Sequence, residues 1–71
     1  MTTITLSEYP DVRTSEPRYL VFINTAQVTK ELTSKQIAVE LAEKTFAESS
    51  SPCTLEGWDG FAGKSQVLRR K

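Results

Sequence analysis

The segment at residues 60–65, Gly-Phe-Ala-Gly-Lys-Ser, ends in the Gly-Lys-Ser triplet of phosphate-binding P-loops. A P-loop holds phosphate with backbone N–H groups and its lysine, and it needs a further glycine five positions before Gly63. Trp58 occupies that position. The lysine must also be followed directly by a helix, whereas the residues after Ser65 include β-branched Val67, which favours a strand. We therefore interpret residues 60–65 as a turn, not as a nucleotide site.

Other residues that could carry chemistry are scarce. The sequence has one cysteine, Cys53, and no histidine, so a thiol nucleophile would lack its usual base and a zinc site its usual ligands. We expect Cys53 to be a buried side chain of a strand. Glu56 and Asp59 could form a carboxylate pair, but a chain of 71 residues offers little room for the deep pocket that acid–base catalysis requires. These patterns favour a non-enzymatic protein without metal or cofactor.

Two large aromatic residues, Trp58 and Phe61, flank Asp59 in the same glycine-rich segment. Buried aromatic anchors dominate the energetics of many protein interfaces, so this cluster is a candidate contact surface for a partner. The alternative is that Trp58 covers the edge of a sheet and closes the core. The sequence leaves both interpretations open.

Charge is unevenly distributed along a chain whose formal net charge is zero. Residues 1–63 carry five basic and nine acidic side chains, and residues 64–71 carry four basic and no acidic ones, which gives charges of −4 and +4. Direct contact with nucleic-acid phosphates would be salt-sensitive, with Tyr9 or Phe61 available for stacking. It would use the four basic residues of the second part, Lys64, Arg69, Arg70 and Lys71. Alternatively, residues 69–71 form a disordered, solvated basic tail.

A helix is predicted over residues 32–49. Thr33 is a suitable N-cap, and Gln36 three positions later completes a capping box. Leu32 and Ile37 have the spacing of a hydrophobic staple around this cap. The serines that precede Pro52 predict the end of the helix.

The two faces of this helix differ in polarity. Glu40 and Glu43 lie on the polar face, where they could contact a basic partner, mimic nucleic-acid phosphates, or simply face solvent. An apolar arc opposite them must be covered by other elements, and it contains Ile37, Ala38, Val39, Leu41, Ala42, Thr45 and Phe46.

Strands are predicted on both sides of the helix from alternation and from β-branched content. The apolar run Arg-Tyr-Leu-Val-Phe-Ile is expected to be a central strand covered on both faces, or nearly so. In the last strand, Val67 or Leu68 should point inward. Residues 25–31 could extend a strand or approach the helix irregularly. The predicted strands are 3–8, 18–24, 53–58 and 66–69.

The resulting order β-β-α-β-β predicts an α+β fold, a small antiparallel sheet of three to four strands with one amphipathic helix on one face. We expect a single domain over residues 1–71, with a mobile loop at 9–17. The lone cysteine, the absence of a signal sequence and the absence of a long apolar run favour a cytoplasmic protein with no membrane contact. A homodimer is also open, because a small core leaves sheet edges exposed.

The threonine-rich first strand, the segments RYLVFI and TSKQIAVELAEKTF, and the closing hairpin resemble those of very small phage-encoded proteins, including some anti-CRISPR proteins. Over residues 18–58 the chain is also similar to a phage inhibitor of host RNA polymerase. This resemblance implies a stoichiometric inhibitor, located in the host cytoplasm, of a larger host protein or ribonucleoprotein complex. The alternatives are a nucleic-acid-binding module that uses the basic tail and a self-associating assembly protein.

Overall fold

A computed structural model describes residues 2–11, 13, 16–29, 31 and 33–71. One helix packs against a mixed five-stranded sheet of order β3-β2-β1-β4-β5. The predicted α+β class is confirmed, but the prediction of a purely antiparallel sheet with three to four strands is wrong. The elements are β1 (Thr2–Tyr9), β2 (Arg18–Ile23), β3 (Ala26–Gln27), α1 (Lys35–Glu48), β4 (Cys53–Asp59) and β5 (Lys64–Arg70).

The first strand, not the second, lies at the centre of the sheet. β1 pairs antiparallel with β2 on one side and parallel with β4 on the other. Helix α1 connects β3 to β4, which are parallel to each other, and so carries the chain across β2 and β1. β2 is covered mainly on one face, since Tyr19 and Val21 are buried while Leu20 and Phe22 are half-buried. The prediction of a central strand covered on both faces, or nearly so, therefore holds only in part, because the second face is half-buried.

Residues 25–31 contain the short strand that the sequence left open. Asn24 takes a left-handed conformation (φ 56°) and turns the chain so that Ala26 pairs with Ile23. The buried Thr29 hydroxyl then accepts a hydrogen bond from the N–H of Val21 at 3.3 Å. This turn and strand lead the chain towards the helix.

Helix α1 starts two residues later than its predicted cap. The N-cap is Ser34, which makes no side-chain capping bond. Thr33 instead forms a β-bridge with Tyr19, exchanging two backbone hydrogen bonds of 2.9 Å. The predicted capping box is therefore wrong, because Thr33 pairs with the sheet and is not the N-cap. Leu32 of the predicted staple lies outside the described residues, and Ile37 is 57% exposed.

The core lies between the helix and one face of the sheet. The apolar arc is confirmed for the buried residues Ala38, Ala42 and Phe46, but wrong for Ile37. Burial of Cys53 is confirmed, with 1% of its surface exposed. The sheet residues of the core are Ile4, Tyr19, Val21, Cys53 and Leu55.

The basic C-terminal segment is part of the sheet. β5 runs from Lys64 to Arg70, longer than predicted, and all of its residues are exposed. Leu68 lies on the helix side of the sheet beside Gly57, as expected for one of the two residues, but Val67 and Leu68 are 42% and 46% exposed. The backbone of Lys71 exchanges two 2.8 Å hydrogen bonds with Cys53. Residues 69–71 therefore pair with β4 and do not form a loose tail.

The predicted loop at 9–17 begins one residue later, because Tyr9 belongs to β1. Asp11 accepts a 3.2 Å hydrogen bond from Arg18 at the start of β2. Positions 12, 14 and 15 lie outside the described residues, and mobility of the loop stays a prediction. Among the described residues, no helix combines the length and the hydropathy needed to cross a bilayer.

Candidate functional site

The turn between β4 and β5 is held by several backbone contacts. A side-chain oxygen of Asp59 accepts hydrogen bonds from the N–H groups of Phe61 at 2.8 Å and Ala62 at 3.3 Å. The carbonyl of Asp59 accepts the N–H of Gly63 at 2.7 Å, and Gly63 takes the left-handed conformation that closes the turn (φ 67°). Asp59, predicted as a partner contact, thus organises the turn.

Gly60 ties this turn to the central strand. Its N–H donates to the carbonyl oxygen of Glu8 at 2.8 Å. A side-chain carbon at position 60 would overlap that same oxygen, well inside van der Waals contact. Glycine is required here because the backbones of β1 and of the turn approach so closely.

The two predicted aromatic anchors have different environments. Phe61 is 62% exposed at the turn. Trp58 is half-buried, and its ring centre lies 5.3 Å from that of Tyr9 with the planes tilted by 52°. Trp58 therefore packs beside Tyr9 and is not part of the core, so the interpretation that it closes the core is wrong. Phe61 is presented to solvent, and its contact with a partner stays a prediction.

Among the described residues, no helix packs on the sheet face opposite α1, although the small side chains of Ser7 and Thr54 on that face are buried. Trp58 is the register partner of Ser7, and Phe22 that of Thr5, whereas the core residue Leu55 is the partner of Ile4. Because side chains alternate along a strand, Trp58 and Phe22 lie on the face away from Leu55 and the helix. The Tyr9–Trp58 pair is thus at the turn end of the uncovered face.

An acidic pair that the sequence did not predict lies on the helix face. Glu8 and Asp59 are neighbours in the parallel β1–β4 register, and the Tyr19 hydroxyl donates to Glu8 at 2.7 Å. Burial raises the pKa of Tyr19 to about 12, assisted by this hydrogen bond and by the negative charges of both carboxylates. Glu56 is three positions from Asp59 and so lies on the opposite face, and the Glu56–Asp59 pair that the sequence allowed does not form.

A groove of about 600 Å³ opens beside this acidic pair. Among the described residues, the helix packs on β1, β2 and β4 and reaches β5 through the Glu43–Arg69 salt bridge, which leaves the turn end of β5 uncovered. Gly57 adds room because it has no side chain, and its nearest neighbour across the strands is Leu68. The lining includes Leu6, Tyr19, Lys35, Gly57, Lys64 and Leu68.

The acidic and basic residues predicted as separate contact patches meet each other. Glu43 and Arg69 form a 2.7 Å salt bridge between partly exposed side chains. The Lys71 ammonium group donates to the carbonyl of Ala47 at 3.1 Å and lies over the aromatic ring of Phe46. Glu40 is exposed and accepts a 3.4 Å bond from Gln36.

Lys64 and Arg70 are exposed on β5, with no ion pair to another described residue. In the described ranges, no three histidine, cysteine, aspartate or glutamate side chains are grouped closely enough to hold a metal ion. No protein-family model, curated protein or solved structure matches this chain.

Proposed function

We propose that this is a small non-enzymatic binding protein that acts stoichiometrically on a larger partner through its β4–β5 hairpin. The observation that carries this proposal is the exposure of Phe61, 62%, on a turn fixed by Asp59 and Gly60. Burying one phenylalanine at an interface contributes about 1.5–3 kcal/mol. Because the turn is already ordered, less of that gain is lost to fixing the loop on binding.

The partner we propose is a protein–nucleic-acid complex of a host cell, with the chain acting as a phage-encoded inhibitor of the anti-CRISPR kind. The support for this part is the resemblance in size and element order to such inhibitors. On the same hairpin, Val67 and Leu68 are exposed apolar residues, and Lys64 and Arg70 are exposed basic residues. The unpaired thiol of Cys53 suits the reducing cytoplasm of such a host.

The test is capture of the partner from a host lysate by the tagged protein, with and without nuclease. Phe61→Ala should lose the captured protein, whereas Ile37→Ala should retain it. Ile37 is the matched control because it is a similarly exposed apolar residue, 57%, on the helix. Equal capture by both variants would contradict the proposal, and capture that disappears with nuclease would favour nucleic-acid binding.

Direct nucleic-acid binding is the second candidate, and one observation favours it. The Tyr9–Trp58 pair lies on the open sheet face. Arg70 lies on that face too, because it pairs with Thr54, which shares a face of β4 with Trp58. Aromatic rings and arginine on one open face can stack bases and contact phosphates. In that case Arg70→Ala should weaken binding and flatten its dependence on salt.

A further inference from the structure

The two edges of the sheet are unequal. β3, at one edge, has two residues, whereas β5, at the other, has seven. Every residue of β5 is exposed, and within the part of the chain that the structure describes this strand pairs only with β4. A long edge strand presents unpaired backbone donors and acceptors that another strand can use.

The backbone groups that β5 offers can be assigned from its pairing. Cys53 and Lys71 exchange both backbone hydrogen bonds, so the backbone N–H and C=O groups of Cys53 point towards β5. The same groups of every second β4 residue after it also point towards β5. The β5 partners of the intervening β4 residues, Thr54, Glu56 and Trp58, therefore direct their N–H and C=O groups outward. These partners are Arg70, Val67 and Ser65.

The charge of this edge selects among possible occupants. Residues 64–71 contain four basic and no acidic side chains, and among the described residues Arg69 is the one of these four that forms an ion pair, with Glu43. The register shift between Leu55 and Glu56 puts Lys64 and Arg70 on opposite faces of the sheet, so β5 presents basic and no acidic side chains on both faces. Two copies joined along β5 would bring like charges together, which is destabilising. An acidic strand would instead bring opposite charges to both faces.

The groove beside β5 supplies a place for side chains of the added strand. Leu68 and Gly57 line it next to the strand, on the helix side of the sheet. Alternate side chains of a sixth strand would point to this side and meet Leu68, which is 46% exposed. In strand addition, main-chain hydrogen bonds provide affinity and such grooves provide selectivity.

We propose that the free edge of β5 accepts an extended, acidic segment of a partner protein as a sixth strand, with apolar side chains over Leu68 in the adjoining groove. This inference rests on the proposed function, since it uses the same hairpin, and it adds the chemistry of the partner segment.

The test uses the full chain and a synthetic peptide of alternating glutamate and valine, blocked at both ends and as long as β5. Hydrogen exchange is followed residue by residue by NMR. With free peptide at ten times its Kd, exchange at Ser65, Val67 and Arg70 should slow by about tenfold. The inward amide of Gln66 should change little. Peptides in which lysine replaces glutamate, or proline replaces the central residue, should have no such effect.

Substitutions in β5 separate strand addition from simple charge attraction. Val67→Pro removes an outward N–H that the hairpin does not use, so it should abolish peptide binding while Val67→Thr retains it. Ser65→Pro repeats the test at a second outward position if the first variant is unfolded. Arg70→Glu should reverse the preference between the acidic and basic peptides.

The proposal is wrong if the acidic peptide leaves the three outward amides unchanged, or if a folded proline variant binds as the unaltered protein does. Phe61→Ala should bind the peptide normally, because Phe61 lies outside β5. If the peptide does not bind, only strand addition at β5 is refuted. The proposed function is tested separately, by whether Phe61→Ala loses capture of the partner.

Discussion

Replacing Gly60 by alanine tests whether the hairpin is held rigidly against the central strand. The added carbon would overlap the carbonyl oxygen of Glu8, which is backbone of β1 and cannot turn away. The turn must then move, and the 2.8 Å hydrogen bond from Gly60 to Glu8 is lost. Overpacking costs about 1–3 kcal/mol and a lost hydrogen bond about 0.5–1.5 kcal/mol. Gly60→Ala should therefore lower the free energy of unfolding by about 2–4 kcal/mol.

Gly57→Ala is the matched control for this change. A side-chain carbon at position 57 would meet Leu68 at 3.4 Å, an ordinary van der Waals contact. This variant should stay within about 0.5 kcal/mol of the unaltered protein. Urea unfolding followed by Trp58 fluorescence and by circular dichroism measures both. The reasoning is refuted if Gly60→Ala is as stable as the unaltered protein, or if Gly57→Ala loses as much stability.

Two further predictions concern aromatic residues near the turn. Trp58→Ala should leave the protein folded but less stable by about 2 kcal/mol in urea unfolding, because it loses the Tyr9 contact and part of its buried area; stability within error of the unaltered protein would contradict this. For Tyr19, the folded-state pKa of about 12 lies above the unfolded value of 10. The resulting stabilisation is present below pH 10 and is lost as the pH rises through about 12. Tyr19→Phe should flatten this alkaline loss in pH-dependent unfolding, and an unchanged profile would count against the assignment.

The repeating patterns of the sequence predicted the elements but not their order. Period 3.6 located α1 to within a few residues, and alternation located β4 and β5. A hydrophobic period tells which face a residue uses, not which strand lies next to it. The apolar run of β2 therefore suggested a central strand, whereas the parallel pairing of β1 with β4 places β1 there.

Long-range pairing also decided which site residues came together. Thr33 had the local signature of a cap, but pairing with Tyr19 took its backbone groups. Glu8 follows Ile4 and Leu6 in alternation, so its face was predictable, yet its contact with Asp59 depends on the β1–β4 register. By contrast, the position of Phe61 in a turn could be predicted from the neighbouring glycines, because a turn is a local feature, and its contact with a partner stays a prediction.

The measurement that tests the central claim most directly is the affinity of Phe61→Ala for the captured partner, by titration calorimetry, beside Ile37→Ala. Loss of about 1.5–3 kcal/mol of apolar burial predicts a Kd raised by about tenfold to a hundredfold for Phe61→Ala. Ile37→Ala should bind as the unaltered protein does. Equal affinities for both variants would contradict the account and move the contact surface away from the β4–β5 turn.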